Sequence, residues 1–153
     1  MPLLSQFIPT TSGSILELGC GAASTPFLHW ICYPTKRRLV TVESNMEFSS
    51  FLLGWKSDFH ETILTPDFDS VDFSEPWGVV FVDHVPAERR VVDIRRVVHA
   101  DYVVVHDSEG ASERKYHYSS VFSLFKYRYD YTFRRPHTSI LSNKYDISNR
   151  RFV

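Results

Sequence analysis

The run Ile15-Leu16-Glu17-Leu18-Gly19-Cys20-Gly21-Ala22-Ala23-Ser24 decides the fold. Ile15, Leu16 and Leu18 give it the apolar character of a strand, with one acid, Glu17, set inside it. A Gly-x-Gly turn follows at Gly19 and Gly21. Ser24, Thr25 and Pro26 then read as a helix start, with Pro26 at the first position. Strand, glycine turn and helix in that order open a nucleotide-binding βα unit.

Working outward, the same alternation repeats. Residues 1–13 carry Leu3, Leu4, Phe7 and Ile8, which suit a helical turn or a lid, before a Pro-Thr-Thr-Ser-Gly loop. The first strand spans about 14–19. Its helix runs from Thr25 to Cys32, with Phe27, Leu28 and Ile31 on one face. Residues 38–43 form a second strand closed by Glu43. Ser44-x-x-Glu47 has the form of a capping box, and Phe48, Phe51, Leu52 and Trp55 repeat at helical spacing behind it. A third strand covers 61–65, followed by an acidic loop over 67–72. The continuous apolar run of 77–83 predicts a strand covered on both faces. A helix then starts near Pro86, with Val91, Ile94 and Val98 inward and Arg89, Arg90 and Arg96 outside that stripe. Residues 101–107 make a fifth strand. Beyond it the pattern changes: a helix over 113–122, then strands over 125–133 and 137–142 joined by Arg134-Arg135-Pro136.

Composition narrows the function classes. A chain of 153 residues with 43% apolar and 15% aromatic content builds one domain with a real core. The net charge of −1 supplies no global field toward nucleic acid or an anionic membrane. Cys20 and Cys32 have no partner motif, so both read as small packed residues in a reducing, cytoplasmic setting. No run reaches the length of a membrane span, and the N-terminal residues lack the Lys or Arg of a secretory signal.

In an open parallel sheet, ligands bind beyond the C-terminal strand ends, and each strand here ends in groups suited to that edge. Gly19, Cys20 and Gly21 form a turn whose backbone approaches a ligand closely. The helix start at Ser24 offers N–H groups to a carboxylate. Glu43, with Ser44 beside it, is placed to grip both hydroxyls of a ribose. Asp67 suits an adenine amino group, with Asp69 an equal candidate. Glu17 suits a positively charged methionine end.

The Glu-x-Gly-x-Gly motif, Glu43 and the closing hairpin resemble class I S-adenosylmethionine-dependent methyltransferases over residues 14–143. The resemblance implies an α/β three-layer sandwich: a seven-stranded, mostly parallel sheet ending in an antiparallel hairpin, as a single domain over 1–153. It implies Glu17, Gly19 and Gly21 along the methionine part, Glu43 on the ribose and Asp67 near the adenine. It also implies in-line methyl transfer to an acceptor, here an oxygen on a small molecule or sugar. Asp83-His84 and His106-Asp107-Ser108 close the fourth and fifth strands, flanking the acceptor position. Asp83 and Asp107 resemble the pair that holds a divalent cation in catechol-type and related sugar O-methyltransferases, and such hard oxygen ligands suit Mg2+ or else Ca2+. Ser108 and Val85-Pro86 depart from that family's asparagine and its tryptophan and lysine. Without a metal, His84 or His106 would serve as general base.

A dinucleotide-binding domain competes on the glycine turn, but Ser24 stands where its third glycine belongs, and no second domain supplies hydride chemistry. A methyltransferase-like scaffold subunit and an RNA methyltransferase using the basic, tyrosine-rich tail are the other readings. With few insertions in the core, a partner subunit or second copy is expected to complete the site.

Overall fold

The computed structural model describes residues 2–148. Seven strands form one sheet: β1 Ser14–Leu18, β2 Leu39–Glu43, β3 His60–Leu64, β4 Trp77–Val82, β5 Tyr102–His106, β6 Tyr127–Tyr131 and β7 Thr138–Ser142, in the order β3-β2-β1-β4-β5-β7-β6. β1 to β5 pair in parallel, and β7 enters antiparallel between β5 and β6. The expected sheet and terminal hairpin are therefore present.

Successive residues of a strand face opposite sides of the sheet, and both sides are covered. On one side Leu16, Leu18, Val80, Val82, Val103 and Val105 pack with Ile94 and Val97. The helix α4, Arg89–Arg96, supplies Ile94 and ends just before Val97. On the other side Ile15, Leu39, Val79, Phe81, Val104 and Ile140 meet Leu28 and Cys32 of α2, Ser24–Cys32. The same layer takes Leu3, Leu4 and Phe7 from α1, Pro2–Phe7. Residues 2–7 thus form the helical turn, with the Phe7 ring 4.8 Å from that of Tyr102. Both cysteines are free thiols. No helix among the described residues is long and apolar enough to cross a membrane.

Several local expectations need correction. Ala23, not Ser24, is the residue before α2, and Pro26 lies inside its first turn. Ser44 does not cap: Asn45 accepts the Glu47 N–H at the start of a short 3-10 turn, and α3 is only Ser49–Leu53. The segment 113–122 splits into α5, Glu113–Tyr116, and α6, Ser119–Phe122, at His117, whose φ is +55°. Arg90 is not on the outer face of α4. It is 3% exposed, and Asp93 is fully buried.

Candidate functional site

The strand order turns outward in both directions from β1 and β4, so the crevice of this fold opens between their C-terminal ends. The loops there are held close together. Gly19 adopts φ +92°, and a Cβ on it would come within 2.6 Å of the His84 Cα. Glycine is therefore required twice, by conformation and by contact. Gly19→Ala is expected to destabilise the protein by about 1–3 kcal/mol and to open the crevice; chemical denaturation beside a ligand titration measures both effects.

Glu43, 4% exposed, ends β2 at this crevice. Its Oε2 accepts the Cys20 N–H at 2.8 Å, and its Oε1 accepts those of Ser44 and Asn45 at 2.8 and 2.7 Å. One carboxylate thus ties the glycine turn to the loop after β2. A carboxylate offers about four acceptor positions, which leaves one, on Oε2, for a ligand hydroxyl. A grip on two hydroxyls would break an existing bond, so the two-hydroxyl expectation is reduced to one. Ser44 Oγ donates to the Val85 carbonyl, joining the β2 loop to the β4 loop. The Cys20 thiol is pushed up to about 12 by burial and then by Glu43, so it stays protonated and only its backbone serves the site.

Glu17 is fully buried and does not line the crevice as expected. Its Oε2 accepts the hydroxyls of Thr25 at 2.9 Å and Thr41 at 2.7 Å. Thr25 in turn accepts the Gly21 N–H. Glu17 therefore supports the glycine turn from beneath. The Thr41 proton is committed to Glu17, so His60 Nε2, 2.8 Å away, must donate to the Thr41 oxygen. His60 Nδ1 then accepts from His29 Nδ1 at 3.0 Å. Burial, then His29, lowers His60 to about 4, which keeps it neutral as this chain of bonds requires.

Burial raises the Glu17 carboxyl to about 7, against opposing hydrogen bonds from Ser24, Thr41 and Thr25. A folded-state value above the unfolded one means stability present below pH 4.5 and lost as pH rises through about 7. The loss amounts to about 3 kcal/mol. Melting temperature against pH is expected to fall across that window in the wild type and to flatten in Glu17→Gln.

Asp83 and Asp107 do meet, beyond the ends of β4 and β5, but Arg90 lies between them. Its guanidinium donates to Asp83 Oδ1 at 2.9 Å, Asp107 Oδ2 at 3.3 Å, the Tyr118 hydroxyl at 3.0 Å and the His84 carbonyl at 2.7 Å. It also lies 4.3 Å over the Tyr116 ring, and Tyr116 donates to Asp107 Oδ2 at 2.9 Å. Asp107 is held at φ +57°, a left-handed conformation that Asp tolerates better than most residues. His106 Nδ1 sits 3.3 Å from Asp83 Oδ1 and 3.3 Å from Asp107 Oδ1.

Those two acids, Asp107 first, raise His106 to about 9. His106 is thus a cation at neutral pH and not the expected general base. Two carboxylates face one guanidinium and one imidazolium, so the cluster is electrically closed. Asp83, His106 and Asp107 place ligand atoms within 4.8 Å of one another. That set does not fit a resident Mg2+, which favours oxygen donors and retained waters, because one donor is an imidazole and the Arg90 guanidinium engages one oxygen of each acid. The Mg2+ expectation is not supported.

His84 is corrected as well. It is 1% exposed, with Nε2 3.0 Å from Asp93 Oδ2 and its ring 4.6 Å from that of Phe68. Asp93 also accepts from Arg89 and Arg96, so His84 belongs to the packing of α4. Only the His84 backbone reaches the crevice, at Gly19. Asp67 is exposed and accepts the Asp69 N–H, while Asp69 is engaged by Arg89. Asp67 is therefore the freer acid of the pair. Sequence reasoning missed Arg90, Tyr116 and Tyr118 as members of the site.

A cavity of about 550 Å³ adjoins this cluster. Leu3, Leu4, Phe81 and Val104 form its apolar wall, and His106 opens onto it. Tyr131, Phe133, Arg134, Pro136 and Thr138, from β6, the hairpin turn and β7, complete it.

No protein-family model matches the chain, and no curated protein sequence does. Solved structures do. A proposed O-methyltransferase from Nostoc punctiforme aligns over 92% of this chain and 55% of its own, at 13% identity and TM-score 0.64. One from Klebsiella pneumoniae aligns over 93% and 79%, at 13% identity and TM-score 0.68. The O-methyltransferase TomG of Streptomyces achromogenes, involved in tomaymycin synthesis and solved in complex with SAM, aligns over 92% and 78%, at 16% identity and TM-score 0.64. The chain thus spans about half the length of the Nostoc protein. Likeness at these identities establishes the class I methyltransferase fold.

Proposed function

We propose that this chain is an S-adenosylmethionine-dependent methyltransferase that methylates an oxygen of a small molecule without a divalent metal. The observation that carries the reading is the Glu43 carboxylate, at the end of β2, bonded to the backbone of the glycine turn at the open edge of the sheet. The fold shared with a SAM-bound structure supports it.

Gly19, Cys20 and Gly21 would hold the methionine part by backbone, and the start of α2 would take its carboxylate. The free acceptor position of Glu43 would take a ribose hydroxyl, and Asp67 the adenine edge. Bound there, the cofactor supplies a methyl group already activated on a sulfonium. The protein's work is then to align the acceptor, exclude water and receive a proton. Asp83 is placed for the last task. Its Oδ1 accepts from Arg90 and lies 3.3 Å from His106 Nδ1, while Oδ2 carries no hydrogen bond among the described residues. When the acceptor hydroxyl takes that methyl group, Asp83 Oδ2 would receive its proton. Arg90 and His106 hold Asp83 in place and are positioning residues.

Transfer from labelled S-adenosylmethionine to a panel of hydroxylated small molecules, with and without EDTA, tests the reading. Turnover insensitive to EDTA is expected. Turnover abolished by EDTA and restored by Mg2+ would contradict it.

A further inference from the structure

The cavity beside His106 has an unusual balance of chemistry. Its wall is apolar and partly aromatic, from Leu3, Leu4, Phe81, Val104 and Phe133. Its polar lining consists of His106, Arg134, Tyr131 and Thr138, and no acid is among the lining residues. About 550 Å³ lies within the range of pockets that take small organic ligands.

Two features of its mouth are little engaged by the fold, the Phe133 ring lying 6.5 Å from that of Tyr131. Arg134 has no hydrogen bond or ion pair among the described residues, unlike Arg128, which pairs with Asp130 at 2.8 Å and lies 3.6 Å over the Phe122 ring. Phe133 is 87% exposed, the most exposed of the large apolar side chains described. A guanidinium unpaired among the described residues and a largely exposed aromatic ring stand side by side on one turn, at the rim of an apolar cavity. A ligand with a flat apolar body and an anionic end satisfies both at once: the ring covers Phe133 and the anion meets Arg134.

We infer that this cavity is the acceptor pocket and that its ligand is an aromatic carboxylic acid, its ring against Phe81 and Phe133 and its carboxylate on Arg134. A planar guanidinium fork suits a carboxylate better than a neutral amide. The inference rests on the methyltransferase reading for the word acceptor, but the pocket's preference for an acid stands or falls by itself.

The test uses 6-hydroxy-2-naphthoate, a fluorescent two-ring acid, against 6-hydroxy-2-naphthamide, which matches its shape without the charge. Fluorescence titration of the full chain is expected to show the acid binding about tenfold or more tightly than the amide. Arg134→Gln is expected to erase that preference, and Arg135→Gln, one residue along and outside the cavity lining, to keep it. Both positions are exposed, so neither substitution threatens the core. Equal binding of acid and amide, no binding of either, or a preference that survives Arg134→Gln would each overturn the inference. S-adenosylmethionine affinity is measured on the same samples. Acid preference without cofactor binding would uphold the pocket and remove the enzyme reading; cofactor binding without acid preference would do the reverse.

Discussion

Arg90→Ala is expected to destabilise the protein by about 3–5 kcal/mol, the cost of leaving buried charge without its partner. Arg90 is 3% exposed and sits against Asp83, Asp107, Tyr118 and two backbone carbonyls, those of His84 and His106. Removing it leaves two carboxylates with His106 and the Tyr116 hydroxyl beside them, and strips the bonds that join α4 to the loops after β4 and β5. Arg90→Lys keeps the charge but lacks the planar fork that reaches several acceptors at once, so it is expected to recover only part of the loss. Urea denaturation of the three proteins reads this directly. A change below about 1 kcal/mol in Arg90→Ala, the range of an exposed ion pair, would show that the cluster is not closed as described.

Glu43→Ala is expected to weaken S-adenosylmethionine binding by about 10–100-fold, the range of one or two charge-assisted hydrogen bonds. Two losses combine. The ribose hydroxyl proposed for Glu43 would lose its acceptor, and the N–H groups of Cys20, Ser44 and Asn45 lose the carboxylate that sets their loops. Glu43→Gln separates the two. It retains one carbonyl oxygen as an acceptor, but its NH2 group faces N–H donors, so at least one tether is broken. An intermediate affinity is expected, measured by calorimetric titration. Glu43→Gln matching the wild type would mean that neither the charge nor the second oxygen matters to the site.

The strands were legible because each is a short apolar run closed by polar residues, and burial on both faces leaves that pattern intact from 77 to 82 and from 102 to 105. Gly19 and Glu43 were legible because the motif is local: strand, turn and acid follow one another within the chain. Arg90 was not, because its partners come from two separate loops, 6 and 7 residues before it and 16 to 28 after it, and no local pattern announces them. One signal was available. Arg90, Ile94 and Val97 share the i, i+4, i+7 spacing, which places the arginine on the buried stripe. Reading Val91, Ile94 and Val98 as the stripe rotated the helix and put Arg90 outside. The same cause hid Arg90 behind the metal expectation at Asp83 and Asp107, since sequence shows the acids but not the guanidinium between them. His84 and His106 sit at adjacent strand ends with similar neighbours in sequence. One is packed beneath Phe68 on Asp93, and the other stands between two acids at the cavity, a difference that tertiary contacts alone create.

The most direct measurement is a calorimetric titration of the chain with S-adenosylmethionine in the presence of EDTA, repeated on Glu43→Ala. One-site binding at micromolar concentration, unchanged by the chelator and weakened at least tenfold in the variant, is the expected result. A folded protein that fails to bind S-adenosylmethionine, or one that binds it equally well without Glu43, would contradict the account.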